Sequence, residues 1–338
     1  MDAHGDQGTL LRLPTPTHRR VILFPLPFQG HINPMLQLAS ILHAQGFKII
    51  ISISDEIKDN MPMGEEDPIF TLKYLNRRCV IPFRDCVAGL LDEEPVACLI
   101  TDAGFYFTQA VADDLKLPQL VLRTSSLACI LVYGSYPLFC QKGYIDLPDS
   151  NSDTRAAGYS PLKEKDITKI ATNKDGMEDF IISMFKQMKA SSGIIFNTFK
   201  ELEEPAQETI YQDFQVPNFT LGPFHKYFSV STSSLIEQDR TILLWLDNQL
   251  PKSTIYASFG SEACITESEF QQVAHTLANV GYPFLWVVRP GSVTGYEWVE
   301  SLPDKLLERL RERGQHPHKQ RCRLKTVDST TQDGAYDE

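Results

Sequence analysis

RVILFPLPFQGHINP, Arg20 to Pro34, is the stretch on which the fold of this chain turns. Val21, Ile22, Leu23 and Phe24 form the near-continuous apolar run of a strand buried on both faces. The run breaks at Gln29-Gly30, where the glycine permits a tight turn, and His31 follows. A helix then opens behind Asn33-Pro34. Asn33 suits the capping position, and Pro34 suits a first turn whose missing N–H needs no partner. Met35, Leu38, Ala39 and Leu42 recur at helical spacing, and Gly46 supplies the stop. Such a junction sets an imidazole at the carboxyl end of a sheet strand, where open α/β folds bind ligands. A histidine there can take a proton from a hydroxyl near neutral pH; one that merely fills a turn is the competing reading.

Outward from this junction, strand-like and helix-like patterns alternate. Lys48 to Ile53, Val96 to Thr101, Gln119 to Leu122 and Gly193 to Asn197 read as further buried strands. Helical patterns follow them at Phe105 to Leu115, after Thr124-Ser125-Ser126, and from Glu201. That alternation argues a parallel, doubly wound sheet. Residues 1–19 read as a loose leader, 20–215 as the first domain, and 216–239, rich in Pro, Ser and Thr, as a linker. A second, smaller unit spans 240–314, with strands at Ser253 to Ser258 and Pro283 to Val288. Between them Thr266 and Glu269 spell a capping box. Residues 315–338 have no periodicity and few apolar side chains, and read as a disordered tail.

The 338 residues are 42% hydrophobic and 22% charged, as in ordinary globular proteins. A formal charge of −11 disfavours nucleic acid and anionic membrane as main partners. No run is long enough to span a bilayer, and Pro25 and Pro27 interrupt the first apolar stretch, which argues against a secretory signal. Seven cysteines without CxxC or zinc-ligand spacing suit a reducing compartment, so the cytoplasm is the expected location.

Asp102, at the end of another predicted strand, can reach the same crevice as His31. A carboxylate accepting one imidazole N–H fixes the tautomer and stabilises the imidazolium. Asp102 can also cap the helix that follows it, and the two roles are compatible. In the second unit, Ser258-Phe259-Gly260-Ser261 joins a strand to a helix. Small turns of this kind expose amides and hydroxyls to a diphosphate, although they also occur for turn geometry alone. No GxGxxG or Walker A sequence supports a dinucleotide or P-loop reading.

Several stretches in order carry a resemblance: FPLPFQGHINPMLQLA, CLITDAGFYF, RTSS, ASSGIIFNTFKELE, LLWLDNQ, YASFGS and FLWVVRPG. From about Arg19 to Arg313 the chain resembles the plant family of UDP-dependent glycosyltransferases. The resemblance implies an α/β fold of GT-B type, two facing Rossmann-like domains with the C-terminal one incomplete. It implies inverting transfer of a sugar, glucose first among them, from a UDP-sugar to a hydroxyl of a small hydrophobic plant metabolite. His31 would be the general base and Asp102 its orienting partner. Gly30, Thr124, Phe105 and Tyr106, with Phe107 beside them, would border the acceptor, although aromatic residues in a helix are more often core. Ser258, Gly260 and Ser261 would contact the UDP-sugar.

The UDP-sugar is a co-substrate, so neither cofactor nor metal is expected, and a monomer is. The family's long C-terminal signature is absent, and a loop between Ile53 and Cys79 is short. The chain as written is therefore expected to be a poor enzyme. A truncated, non-catalytic family member that binds ligand or partner at most is the alternative.

Overall fold

The computed structural model describes residues 19–53, 68–141, 176–227, 241–260, 264–288, 292–293, 306 and 324–326. The leader to residue 18, Ser261, half of the linker and most of the tail lie outside the described residues. The chain divides into two compact units, 1–233 and 234–338.

In the first unit, β1 (Arg20–Phe24) leads to α1 (Gln29–Ala44) and β2 (Lys48–Ile51). Then come α2 (Pro68–Arg78), α3 (Val80–Glu93), β3 (Cys98–Asp102), α4 (Thr108–Asp114) and β4 (Gln119–Arg123). The unit continues through α5 (Leu127–Gly134), α6 (Tyr136–Gln141), α7 (Met177–Ala190), β5 (Gly193–Phe196), α8 (Lys200–Asp213) and β6 (Asn218–Thr220). The six strands pair in the order β2-β1-β3-β4-β5-β6, every pair parallel. Chain order reverses between β1 and β3, so a topological switch point opens between their carboxyl ends. Strand alternation divides the core. Val21, Leu23, Ile100, Leu122 and Ile195 pack on one face with Met35 and Leu38 of α1. On the other face, Ile22, Phe24 and Leu99 meet Phe83 and Phe105, while Val121 and Ile194 meet Met184 and Met188.

Three expectations shift. The helix after β1 starts at Gln29, not behind Asn33-Pro34, with extended Phe28 at its N-cap. Gly30 therefore lies in the first turn of α1 rather than in a tight turn, and Asn33 accepts a bond from Gln29 Nε2 (2.7 Å) instead of capping. Pro34 is tolerated inside the helix, where its only missing bond is to the Gly30 carbonyl one turn back. At the other end the reading holds: Gly46 has φ +85°, its N–H reaches His43 O, and the Phe47 N–H reaches Leu42 O, a Schellman closure.

Residues 218–226, expected as linker, belong to the first unit. Asn218–Thr220 pairs with β5, and Phe224 is buried beneath α1. A three-residue strand between Pro217 and Pro223 is too short to show a period. Asn218, in a formal glycosylation sequon, commits its amide to the carbonyls of Phe214 and Val216.

The second unit holds α9 (Thr241–Asp247), β7 (Ile255–Ser258), α10 (Glu267–Asn279) and β8 (Phe284–Val288). The expected capping box at Thr266 and Glu269 is present with both of its bonds. Leu324–Thr326 pairs parallel to β8 as a third strand, β9, inside the stretch expected to be irregular. The free edge of β8 offers backbone donors and acceptors that any extended segment can meet, whatever its apolar content. Phe270, Ala274, Leu277, Phe284, Trp286 and Val288 make the core of this unit.

Candidate active site

Three adjacent strands deliver the site. On α1, Ile32, Met35 and Leu38 follow the buried stripe, and His31 lies one turn before Met35 on the same side. It thus runs off the end of the sheet at the rim of the switch point. Asp102, the last residue of β3, stands two residues beyond buried Ile100, and Thr124 two beyond buried Leu122. Period-two alternation turns both toward α1. The outcome is short-range: His31 Nδ1–H donates to Asp102 Oδ2 at 2.7 Å, and Thr124 Oγ1 stands 3.5 Å from the same nitrogen. His31 is 29% exposed and Asp102 only 2%. A carboxylate so placed holds the proton on Nδ1, which makes Nε2 the basic nitrogen of the ring.

Asp102 does not cap α4. Its Oδ1 accepts the Gly104 N–H two residues on, at 2.9 Å, while Oδ2 serves His31. Both carboxylate oxygens are therefore tied down. A Cβ on Gly104 would lie 2.4 Å from Leu26 Cδ1, so any larger residue in this turn must displace Leu26. Residues 105–107, expected as the start of a helix, precede it, and α4 begins at Thr108.

The structure separates the aromatic candidates. Phe105 is 0% exposed, stacked on Phe24 with ring centroids 4.5 Å apart, and belongs to the core rather than to any ligand surface. Phe107 packs edge-on against Phe83 in the same cluster. Tyr106 alone is half-buried, set against Phe180 of α7, and burial pushes its phenol above the ordinary tyrosine range. Burial likewise pushes the Cys98 thiol up to about 11, which leaves it an inert core group.

No family model matches the chain. It is 41% identical over 315 residues to UDP-glycosyltransferase 76B1 of Arabidopsis thaliana, an alignment covering 87% of this chain and 70% of that protein. The chain belongs to the UDP-glycosyltransferase family. A second relative, UDP-glycosyltransferase 76G1 of Stevia rebaudiana, is 41% identical over 321 residues, 86% of this chain and 69% of its own length. The fold agrees. Phytolacca americana UGT2, solved with UDP-2fluoro-glucose and pterostilbene, superposes with TM-score 0.68 at 23% identity, covering 87% of this chain and 70% of the other. This glycosyltransferase chain thus spans about 70% of the relatives it matches.

Within this glycosyltransferase, His31, Asp102 and Thr124 come together and Gly30 lies exposed in the turn that carries His31. In the second unit Ser258 ends β7 and Gly260 follows two residues on, both exposed. Gly260 has φ +74°, and its N–H donates to Ser258 Oγ at 3.3 Å. Gly104 escaped the sequence reading, and so did Glu203. Glu203 is buried, accepting from Thr198 Oγ1 at 2.9 Å and from Ala128 N at 3.3 Å in the first turn of α5. An acid in a polar helical turn reads as solvated surface, and no pattern in the chain marks it otherwise.

Proposed function

We propose that this chain transfers a sugar, glucose first among the candidates, from a UDP-sugar to a hydroxyl of a small hydrophobic acceptor, with His31 as general base. The observation that carries the reading is the His31–Asp102 pair at the switch point of the first sheet. The acceptor O–H gives its proton to His31 Nε2 as its oxygen attacks the anomeric carbon. The bond from that carbon to the diphosphate oxygen breaks, UDP leaves with the electron pair, and the configuration inverts. Asp102 stabilises the imidazolium that forms, since it already accepts the proton on the opposite nitrogen. Thr124 borders the reacting centre, Gly30 leaves room beside it, and Tyr106 is the aromatic candidate to meet the acceptor.

In the second unit, Ser258, Gly260 and Ser261 are assigned to the diphosphate. The exposed Gly260 turn supports this reading, because a positive-φ glycine opens backbone amides toward an anion. The UDP-sugar brings its own leaving group, so the reading requires no resident cofactor. We place the protein in the cytoplasm as a monomer; no described helix is long and apolar enough to cross a membrane.

The test is transfer from UDP-glucose to a phenolic acceptor by the 338-residue chain. A folded His31→Ala variant should lose about 10²–10⁴ in rate, the usual contribution of a general base. An unchanged rate would remove His31 from the mechanism.

A further inference from the structure

Arg123 closes β4 immediately before Thr124, and alternation sends its side chain to the opposite face of the sheet. The guanidinium is half-buried at the carboxyl rim, and its company is neutral. Nε donates to Ser125 Oγ at 2.8 Å, Nη1 approaches Met184 Sδ at 3.2 Å, and the group lies 5.5 Å over the ring of Tyr133. Glu203 of α8, which reaches the first turn of α5, spends its two oxygens on Thr198 and Ala128. Three other described cations of the first unit do pair with acids: Arg20 with Glu93, Lys48 with Glu94 and Arg84 with Asp114. Among the described residues Arg123 has none.

A cation drawn partly out of water without a counter-ion is costly, and hydroxyl, thioether and ring faces offset little of that cost. The planar fork of arginine matches a carboxylate through two parallel N–H donors, and Nη2 has no partner among the described residues. Tyr133 feels the same charge, which partly offsets the rise in its phenol pKa caused by burial.

We propose that Arg123 is the anion-recognising end of the acceptor site and selects hydroxylated small molecules that carry a carboxylate. This rests on the acceptor reading above. It adds the chemical class of acceptor: the hydroxyl goes to His31 and the carboxylate lies across the rim at Arg123.

Calorimetric titration of the full chain with 4-hydroxybenzoate and with its uncharged methyl ester tests the proposal. The acid should bind about tenfold or more tightly than the ester, the scale of one charge-assisted hydrogen-bonded contact. Arg123→Gln should erase that preference while leaving ester affinity unchanged. Arg123→Lys, which keeps charge but loses the fork, should retain part of it. Added salt should weaken the acid alone. Equal binding of acid and ester by the parent, or a preference that survives Arg123→Gln, overturns the role of Arg123 and leaves the acceptor reading intact. Should Arg123→Gln fail to fold, the Arg123→Lys protein decides: full retention of the preference overturns the bidentate role. Binding of neither compound tells against the acceptor reading itself.

Discussion

Replacing Gly104 by alanine should reveal how tightly the Asp102 carboxylate is held. The added Cβ would stand 2.4 Å from Leu26 Cδ1 and 3.3 Å from Leu26 Cγ, where ordinary carbon contacts begin near 3.5 Å. Leu26 cannot swing out cheaply, because it is 2% exposed and packed in the cluster of Phe24, Phe83 and Phe105. Overpacking of this kind costs about 1–3 kcal/mol. With a urea slope of roughly 2–3 kcal/mol per molar, the midpoint followed by far-UV circular dichroism should fall by about 0.3–1.5 M. Leu26→Ala alone should cost about 2–5 kcal/mol for its cavity. In that background Gly104→Ala should cost almost nothing, since the clashing methyl is gone, so the double-mutant cycle should return a coupling of about 1–3 kcal/mol. Activity should fall as well, because the backbone shift pulls the Gly104 N–H from Asp102 Oδ1. Additivity of the two substitutions to within about 0.5 kcal/mol would refute the steric argument.

Gly30→Ala should behave in the opposite way. Nothing lies within 4 Å of its would-be Cβ, and alanine favours a helix over glycine by about 1 kcal/mol, so thermal stability should rise. Acceptor binding should weaken at the same time, because the methyl enters the space beside His31; a stabler variant with unaltered affinity would place the acceptor elsewhere. In the second unit, backbone and side-chain hydrogen bonds from Thr266 hold the Glu269 carboxyl below its ordinary 4.5. A depressed folded pKa contributes stability that is present above 4.5 and is lost as pH falls from there through the folded value. Melts of the parent between pH 5 and 3, referenced to Thr266→Ala, should therefore converge as the pH drops. Parallel curves across that range would mean that the Glu269 charge adds nothing to the capping box.

Much of the first unit was legible because its information is local. Val21 to Phe24 is a strand at any reading, Gly46 stops a helix by its backbone freedom, and Thr266 with Glu269 caps α10 without help from the rest of the fold. Even the partnership of His31 and Asp102 followed from two predicted strand ends, because parallel topology leaves the carboxyl ends of neighbouring strands on one rim. The start of α1 was misplaced because Asn33 and Pro34 are strong local opening signals. Burial of Ile32 and packing of Met35 against the sheet outweighed them and extended the helix back to Gln29.

Residues whose role depends on what lies across the fold stayed hidden. The aromatics after Asp102 look alike in sequence, yet burial against Phe24 removed Phe105 from any ligand surface and left Tyr106 at the edge. Gly104 matters only because Leu26 occupies the space a side chain would need, and Glu203 only because the first turn of α5 offers it an amide. The strand at Leu324–Thr326 exists only as a partner for β8. Sequence by itself determined the alternation of strands and helices and the strand ends at which His31 and Asp102 lie, since periodicity and turn chemistry act over a few residues. Tertiary structure decided which side chains face that site, because burial and close contact join residues tens of positions apart that no local pattern connects.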